Sequence, residues 1–282
     1  MPVRERSPMM QVPAPTTKND ASILLREDKD GIALLTLNQP ERANALSEAM
    51  LAALGEAFVT IARDTAVRAV IIGATGRAYC AGHDLKELTA HRNDRDRGRA
   101  FFQHIMETSG ALMQSIVRLP QPVIAAVQGA ASAAGVQLVA SCDLAVASSL
   151  ATFCTPGVNI GLFCSTPMVP LARNVSRKHA MDMLLTGDTI SAEEAARIGL
   201  VNRVVSPGTE GEHALKLARQ IASKSAMAVR LGKEAFYRQM EMSLSDAYRF
   251  TSHVMVENML RYDAAEGIGA FLEKRKPQWE DR

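Results

Sequence analysis

Apolar and polar residues alternate in ways that change along the chain. "SILLRED" (residues 22–28) and "GIALLTLNQ" (31–39) are short apolar-rich runs on either side of Asp30-Gly31. That dipeptide is a hairpin turn signal, so the pattern predicts two paired strands. "SEAMLAALGEAFVTIARD" (47–64) then places apolar residues at helical spacing behind Ser47, a helix cap. "VRAVIIGA" (67–74) is a continuous apolar run, which reads as a strand buried on both faces. A loop, "TGRAYCAGHD", and a helix, "GRAFFQHIMETSGALMQSIVRL", lead to a second such strand, "PQPVIAAVQG" (120–129). Pro120 and Pro122 keep that helix from running into the strand.

"CDLAVAS" and "ATFC" continue as strands, and from about Ser165 the period becomes helical. Ser191 with Glu194 three residues on forms a capping box at the head of "ISAEEAARIGLVNRVV". "EHALKLARQIAS", "AMAVRLGKEAFYRQM" and "LSDAYRFTSHVMVENMLRY" read as amphipathic helices. The methionine stripe of the last reads as core or subunit contact. The expected class is α/β in front and all helix behind. The opening "MPVRERSPMMQVPAPTTKND" has prolines and charge but no apolar signal region, and reads as a disordered tail over residues 1–20.

Composition narrows the function. The chain has 282 residues, 47% of them hydrophobic, enough for a sizeable core. A formal charge of +2 without a basic, aromatic-laced stripe argues against nucleic acid. No apolar run reaches the ~18 residues that a membrane span needs. Cys80, Cys142, Cys154 and Cys164 show no metal-ligand spacing, so no metal is expected and reduced thiols in a cytoplasmic protein are. Elbow, phosphate-loop and dinucleotide fingerprints are absent from the sequence.

One stretch is unusually bare. "GAASAAG" (129–135) sets seven small residues in a row between a buried strand and a short helix expected to open near Ala133 or Ala134. Small residues let a backbone approach another object closely, whether a neighbouring strand or a ligand. The first N–H groups of a helix lack internal partners. "AYCAGHDLKEL" repeats the form, with a Gly82 turn before a helix opening. Two such loops, each offering free N–H groups, can face one carbonyl.

Together "NQPERANALSEAM", "GRAYCAGHDLKEL", "PQPVIAAVQGAASAAGVQLVASCDLAVAS", "TGDTISAEEAARIGLVNRVV" and "AFLEKRKPQW" resemble the crotonase superfamily of enoyl-CoA hydratases and isomerases, in the family's order over roughly residues 20–280. The resemblance implies a spiral of ββα units over residues 21–205. It also implies a C-terminal helical trimerisation region over 206–282, in trimers or dimers of trimers. It implies an acyl-CoA substrate, coenzyme A being part of that substrate and not a resident cofactor. The two oxyanion-hole donors fall on the N–H groups of His83 and Ala134. Coenzyme A contacts fall on Ala43, Ala81, Asp84 and Leu85. Lys86 and Lys274 stand in positions to reach the phosphates, the latter from a neighbouring subunit, or else lie on a solvated helix face.

The pattern then breaks. The hydratases of the family use two glutamates for proton transfer, and those positions here read Gln137 and Gly157. An amide orients water but takes no proton at neutral pH. Weak hydration is therefore expected. His83 as a base, with Gln137 or Asn159 around a water, stays open as a thioester hydrolase or isomerase. A non-catalytic acyl-CoA binder stays open too. For His83, a loop imidazole facing solvent or bonded to backbone is the competing reading. Asp84 reads as the cap of the helix opening at Leu85. Ser165, with Asn159, lies in the loop that replaces the second glutamate. Cys80 and Cys164 read as inert thiols.

Overall fold

A computed structural model describes residues 22–282; the tail expected over residues 1–20 lies outside the described residues. Strands β1 (Leu24–Lys29) and β2 (Ile32–Leu37) pair antiparallel across Asp30 and Gly31. Both turn residues have positive φ, 53° and 75°, as the right-twisted two-residue hairpin requires. Helix α1 (Glu48–Arg63) is capped by the Ser47 side chain, which accepts from the Met50 N–H.

The chain then repeats one device. β3 (Ala69–Ala74) is followed by β4 (Ala78–Cys80) and the helices α2 (Leu85–Ala90) and α3 (Arg99–Arg118). β5 (Val123–Val127) is followed by β6 (Ala130–Ser132) and α4 (Ala134–Ser141), and β7 (Leu144–Ser148) by β8 (Thr152–Cys154). The first strand of each unit joins a six-stranded sheet ordered β1-β2-β3-β5-β7-β10, where β10 is Arg203–Val205. The second joins a small sheet ordered β4-β6-β8-β9, where β9 is Ile190–Ser191. This is the expected spiral of ββα units. Two segments expected as loop, residues 78–80 and 130–132, are strands of the small sheet. At three residues each they are too short to show a period, and their partners lie far away in sequence.

The remaining helices are α5 (Met168–Asn174), α6 (Arg177–Thr186), α7 (Ala192–Ile198), α8 (Glu210–Ala222), α9 (Ala226–Gln239), α10 (Leu244–Met259) and α11 (Tyr262–Leu272). The helix expected through residue 205 ends at Gly199, whose φ of 92° favours glycine, and β10 follows. Glu194 donates its N–H to Ser191, but its carboxylate turns to Arg197, so half of the capping box is made.

Alternation along the buried strands divides the core. Leu35, Leu37, Val70, Ile72, Ala125 and Val127 face one side, with α1, α3 and α4. Ile32, Ala69, Ile71, Ile124 and Val146 face the other, where α8 covers them with Ala214, Leu217 and Ala218. The boundary drawn at residue 205 therefore leaves out a helix that packs on the sheet. Among the described residues no helix is long and apolar enough to cross a membrane.

Candidate active site

Two loops carry the residues singled out above. The first leaves β4 at Cys80 and turns at Gly82, where φ is 95°, into α2. It is laced to the segment before α1. The Ala81 N–H donates to the Ala43 carbonyl at 3.0 Å, and the Leu46 N–H to the Gly82 carbonyl at 2.8 Å. Asp84 is buried and caps α2, accepting from the N–H groups of Lys86 and Glu87, and it also pairs with Arg42. Its carboxylate is thus committed to the fold.

The second loop joins β6 to α4 through Ala133, whose φ of 48° and ψ of −112° lie where side-chain-bearing residues seldom go. Such a conformation stores about 1–3 kcal/mol and persists where surrounding bonds over-determine it. Here the Ala133 N–H donates to the Cys154 carbonyl at 2.9 Å, and its own carbonyl accepts from the Gln137 N–H at 3.1 Å.

The loops touch. A methyl group on Gly82 would lie 3.0 Å from the Ser132 carbonyl oxygen and 3.2 Å from the Ala134 nitrogen. One on Gly135 would lie 2.1 Å from the Cys80 oxygen, and one on Gly129 1.9 Å from that of Arg77. Backbone packs on backbone there, and only glycine fits at 129 and 135. The bareness of the run is thus partly a packing requirement. It also leaves N–H donors without acceptors, those of His83 and Ala134 among them. Among the described residues, neither the His83 N–H nor the Ala134 N–H makes a hydrogen bond. Ala134 is 1% exposed. Buried N–H groups are almost always paired, so an unpaired one beside a second marks a place where an outside oxygen fits.

Gln137 lies one helical turn beyond Ala134, 3% exposed, and its Oε1 has no partner among the described residues. Gly157 sits in a 3-10 turn, Pro156–Ile160, closed by the Leu162 N–H donating to the Gly157 carbonyl at 2.9 Å. A side chain at 157 would meet Cys164 Sγ and the Leu162 carbonyl oxygen, each at 3.0 Å. The position lacks a carboxylate, and the space beside it is tight.

The His83 ring packs inward, with Nδ1 3.3 Å from the Leu46 carbonyl oxygen. A carbonyl only accepts, so Nδ1 carries the proton and Nε2 holds a lone pair. Burial lowers the pKa of the imidazole, the bond to Leu46 opposing, so the ring is neutral at pH 7. Nε2 is buried and unpartnered among the described residues. The ring therefore bonds to backbone through one nitrogen and keeps the other free.

The thiols of Cys80 and Cys164 are quiet. Burial pushes Cys80 up to about 12 and raises Cys164 as well.

Asn159 is exposed, and its Nδ2 lies against Gly187 at the end of α6, with no hydrogen bond to either loop among the described residues. Ser165 is also exposed and donates its hydroxyl to the Phe163 carbonyl. Ala43, Ala81, Asp84, Leu85 and Lys86 do gather along one rim, with Leu85 52% and Lys86 largely exposed. Arg42, half exposed beside Ala43 and paired with Asp84, stands on the same rim and was not anticipated. Its signal was only its place in "PERANAL". Lys274 lies beyond α11, and among the described residues no hydrogen bond or ion pair ties it to this rim. An open cavity lined by Asp96, Arg97, Arg99, Phe102, Gln103 and Met106, at the start of α3, takes in none of these residues.

A spiral of ββα units with two unpaired N–H groups on touching loops defines a class of protein, and comparison with known proteins agrees. Residues 27–282 match the family model described as enoyl-CoA hydratase/isomerase, and the chain belongs to that family, the crotonase superfamily. It is 45% identical over 97% of its length to human enoyl-CoA hydratase domain-containing protein 3, mitochondrial, covering 92% of that protein. Among solved structures it is similar to an enoyl-CoA hydratase of Mycobacterium smegmatis, with 50% identity and a TM-score of 0.87 over 92% of this chain and 99% of that one. The crystal structure of human enoyl-CoA hydratase domain-containing protein 3 gives 46% identity and a TM-score of 0.87 over 92% and 100%. The vertebrate relatives are named as mitochondrial, which the reading of a cytoplasmic protein did not foresee.

Proposed function

We propose that this chain binds fatty acyl-CoA thioesters and holds their carbonyl oxygen between the N–H groups of His83 and Ala134, while hydrating enoyl-CoA only weakly. The observation that carries this reading is the pair of unpartnered N–H groups on loops in contact at Gly82. Both donors belong to the backbone, so the site survives the loss of the glutamates. One donor of this kind typically stabilises a developing oxyanion by ~3–4 kcal/mol. Family membership supplies the thioester as the substrate class. Lys86 and Arg42 supply cations on the rim where the coenzyme A phosphates lie in this reading, with Ala43, Ala81 and Leu85 lining it. Asp84 shapes that rim through its bonds to α2 and Arg42. Lys274 reaches the phosphates in this reading from a neighbouring subunit of a trimer or a dimer of trimers. The compartment is a reducing one, cytosol or organelle, which keeps the four thiols free.

Weak hydration follows from positions 137 and 157. General acid/base help is worth ~10²–10⁴-fold per group, and neither Gln137 nor Gly157 supplies it. Calorimetry with coenzyme A and a fatty acyl-CoA, beside an assay of crotonyl-CoA hydration, tests the reading. The expected result is saturable binding with hydration at least ~10²-fold slower than in glutamate-bearing relatives. Absence of binding, or hydration at the relatives' rate, would overturn it.

A further inference from the structure

His83 and Gln137 each bury one hydrogen-bond acceptor that nothing among the described residues satisfies. The acceptors are His83 Nε2 and Gln137 Oε1. His83 itself contributes one of the two unpaired N–H groups, and Gln137 lies one helical turn past Ala134, which contributes the other. The loops that carry the two N–H groups touch at Gly82. A buried acceptor without a donor is costly, and the usual remedy is a water molecule. Water brings two O–H donors, one for each.

We infer that His83 Nε2 and Gln137 Oε1 hold a water beside the bound thioester carbonyl, and that the protein hydrolyses acyl-CoA with His83 as the proton acceptor. The inference rests on the acyl-CoA reading above and adds a reaction to it. The water oxygen bonds to the carbonyl carbon as its proton passes to Nε2. The carbonyl electron pair moves to the oxygen held by the N–H groups of His83 and Ala134. Collapse of that intermediate breaks the C–S bond, and the departing thiolate takes the proton from the imidazolium. The products are a fatty acid and free coenzyme A.

The imidazole suits this task. Leu46 fixes its tautomer from behind, and burial keeps it neutral and able to accept. The rival nucleophiles Cys80 and Cys164 are held as thiols by burial. Gln137, as an amide, orients the water without competing for its proton.

The test follows free-thiol release from short- to long-chain acyl-CoAs, in ordinary water and in ¹⁸O water, alongside calorimetric affinity. His83→Asn keeps an N–H toward Leu46 and removes the proton acceptor. The expected result is a kcat ~10²–10⁴-fold lower with affinity changed only a few-fold. In the wild type, one ¹⁸O enters the released carboxylate. Gln137→Leu, a second variant should the first not fold, is expected to lower kcat about tenfold at unchanged affinity. Thiol release by His83→Asn at the wild-type rate overturns the inference. So does a wild type that binds acyl-CoA yet releases no thiol, a result that leaves the binding reading standing. A wild type that binds no acyl-CoA defeats that reading itself.

Discussion

Position 157 lacks a carboxylate and is tightly packed besides. Cys164 Sγ and the Leu162 carbonyl oxygen crowd any side chain at residue 157, each 3.0 Å from a methyl placed there. Returning the two glutamates is therefore insufficient. Gln137→Glu with Gly157→Glu is expected to hydrate crotonyl-CoA little faster than the wild type. Adding Cys164→Ala, which clears the sulfur, is expected to raise the rate by a further ~10-fold or more, toward the ~10²–10⁴-fold worth of one acid/base group. Equal rates for the double and triple variants would show that the sulfur does not close the slot. His83 makes a prediction in pH. Its folded pKa lies below the ordinary imidazole value, so the folded state resists the proton that the unfolded chain takes up. Its contribution is fully present above about pH 6.5 and is lost as pH falls through the lower folded value. Urea titrations across pH 4–8 should show the wild type losing stability in acid relative to His83→Asn. Parallel curves would contradict the burial of the ring.

Among the elements, α9 is held by a buried charge pair. Lys233 Nζ lies 2.6 Å from Asp143 and donates to the carbonyls of Ile116 and Gln121, with side-chain exposure of only 7%. Tyr237, one turn on, donates its hydroxyl to the same carboxylate, and the Val123 N–H donates to it as well. Burial lowers the lysine pKa, and the adjacent carboxylate opposes that shift. Removing one partner of such a pair leaves the other charged and dry, at a cost of about 3–5 kcal/mol. Lys233→Ala should shift the urea midpoint accordingly, with α9 released from the end of β5. A loss below ~1 kcal/mol would mean that the pair behaves as a surface one. Helix α8 shows how far pattern alone carries. Its apolar stripe was plain, so its existence and inward face were legible. Its target, the back of the sheet at Ala69 and Ile124, was not, since a stripe does not say which surface it covers.

On the scale of the molecule, the last two helices and the turns after them leave several large apolar side chains exposed. Leu244, Tyr248, Leu260, Phe271 and Leu272 are 69–81% exposed. Large exposed apolar patches on a monomer mark contact surfaces. Light scattering is expected to give three or six times the 30.5 kDa chain mass. Leu260→Glu with Phe271→Glu is expected to give single chains, while a wild type already monomeric at micromolar concentration would remove the trimer from the proposal.

What the sequence determined by itself is what neighbours along the chain decide. Asp30-Gly31 set the hairpin and Ser47 and Ser191 capped their helices, each through bonds that span a few residues, and the apolar runs at 69–74 and 123–127 marked two buried strands. The ordered motifs made the family readable from the letters alone. Tertiary structure decided the rest. It made strands of residues 78–80 and 130–132, fixed the tautomer of His83 through Leu46, set Asn159 against Gly187 and narrowed the space beside Gly157. In each case the deciding atoms are brought together by crossings between the two sheets or by loop closure, and a side chain's surroundings there depend on where the whole chain has gone. Local bonding is written in short stretches. Whether a particular polar atom finds a partner is settled only when the sheets have assembled.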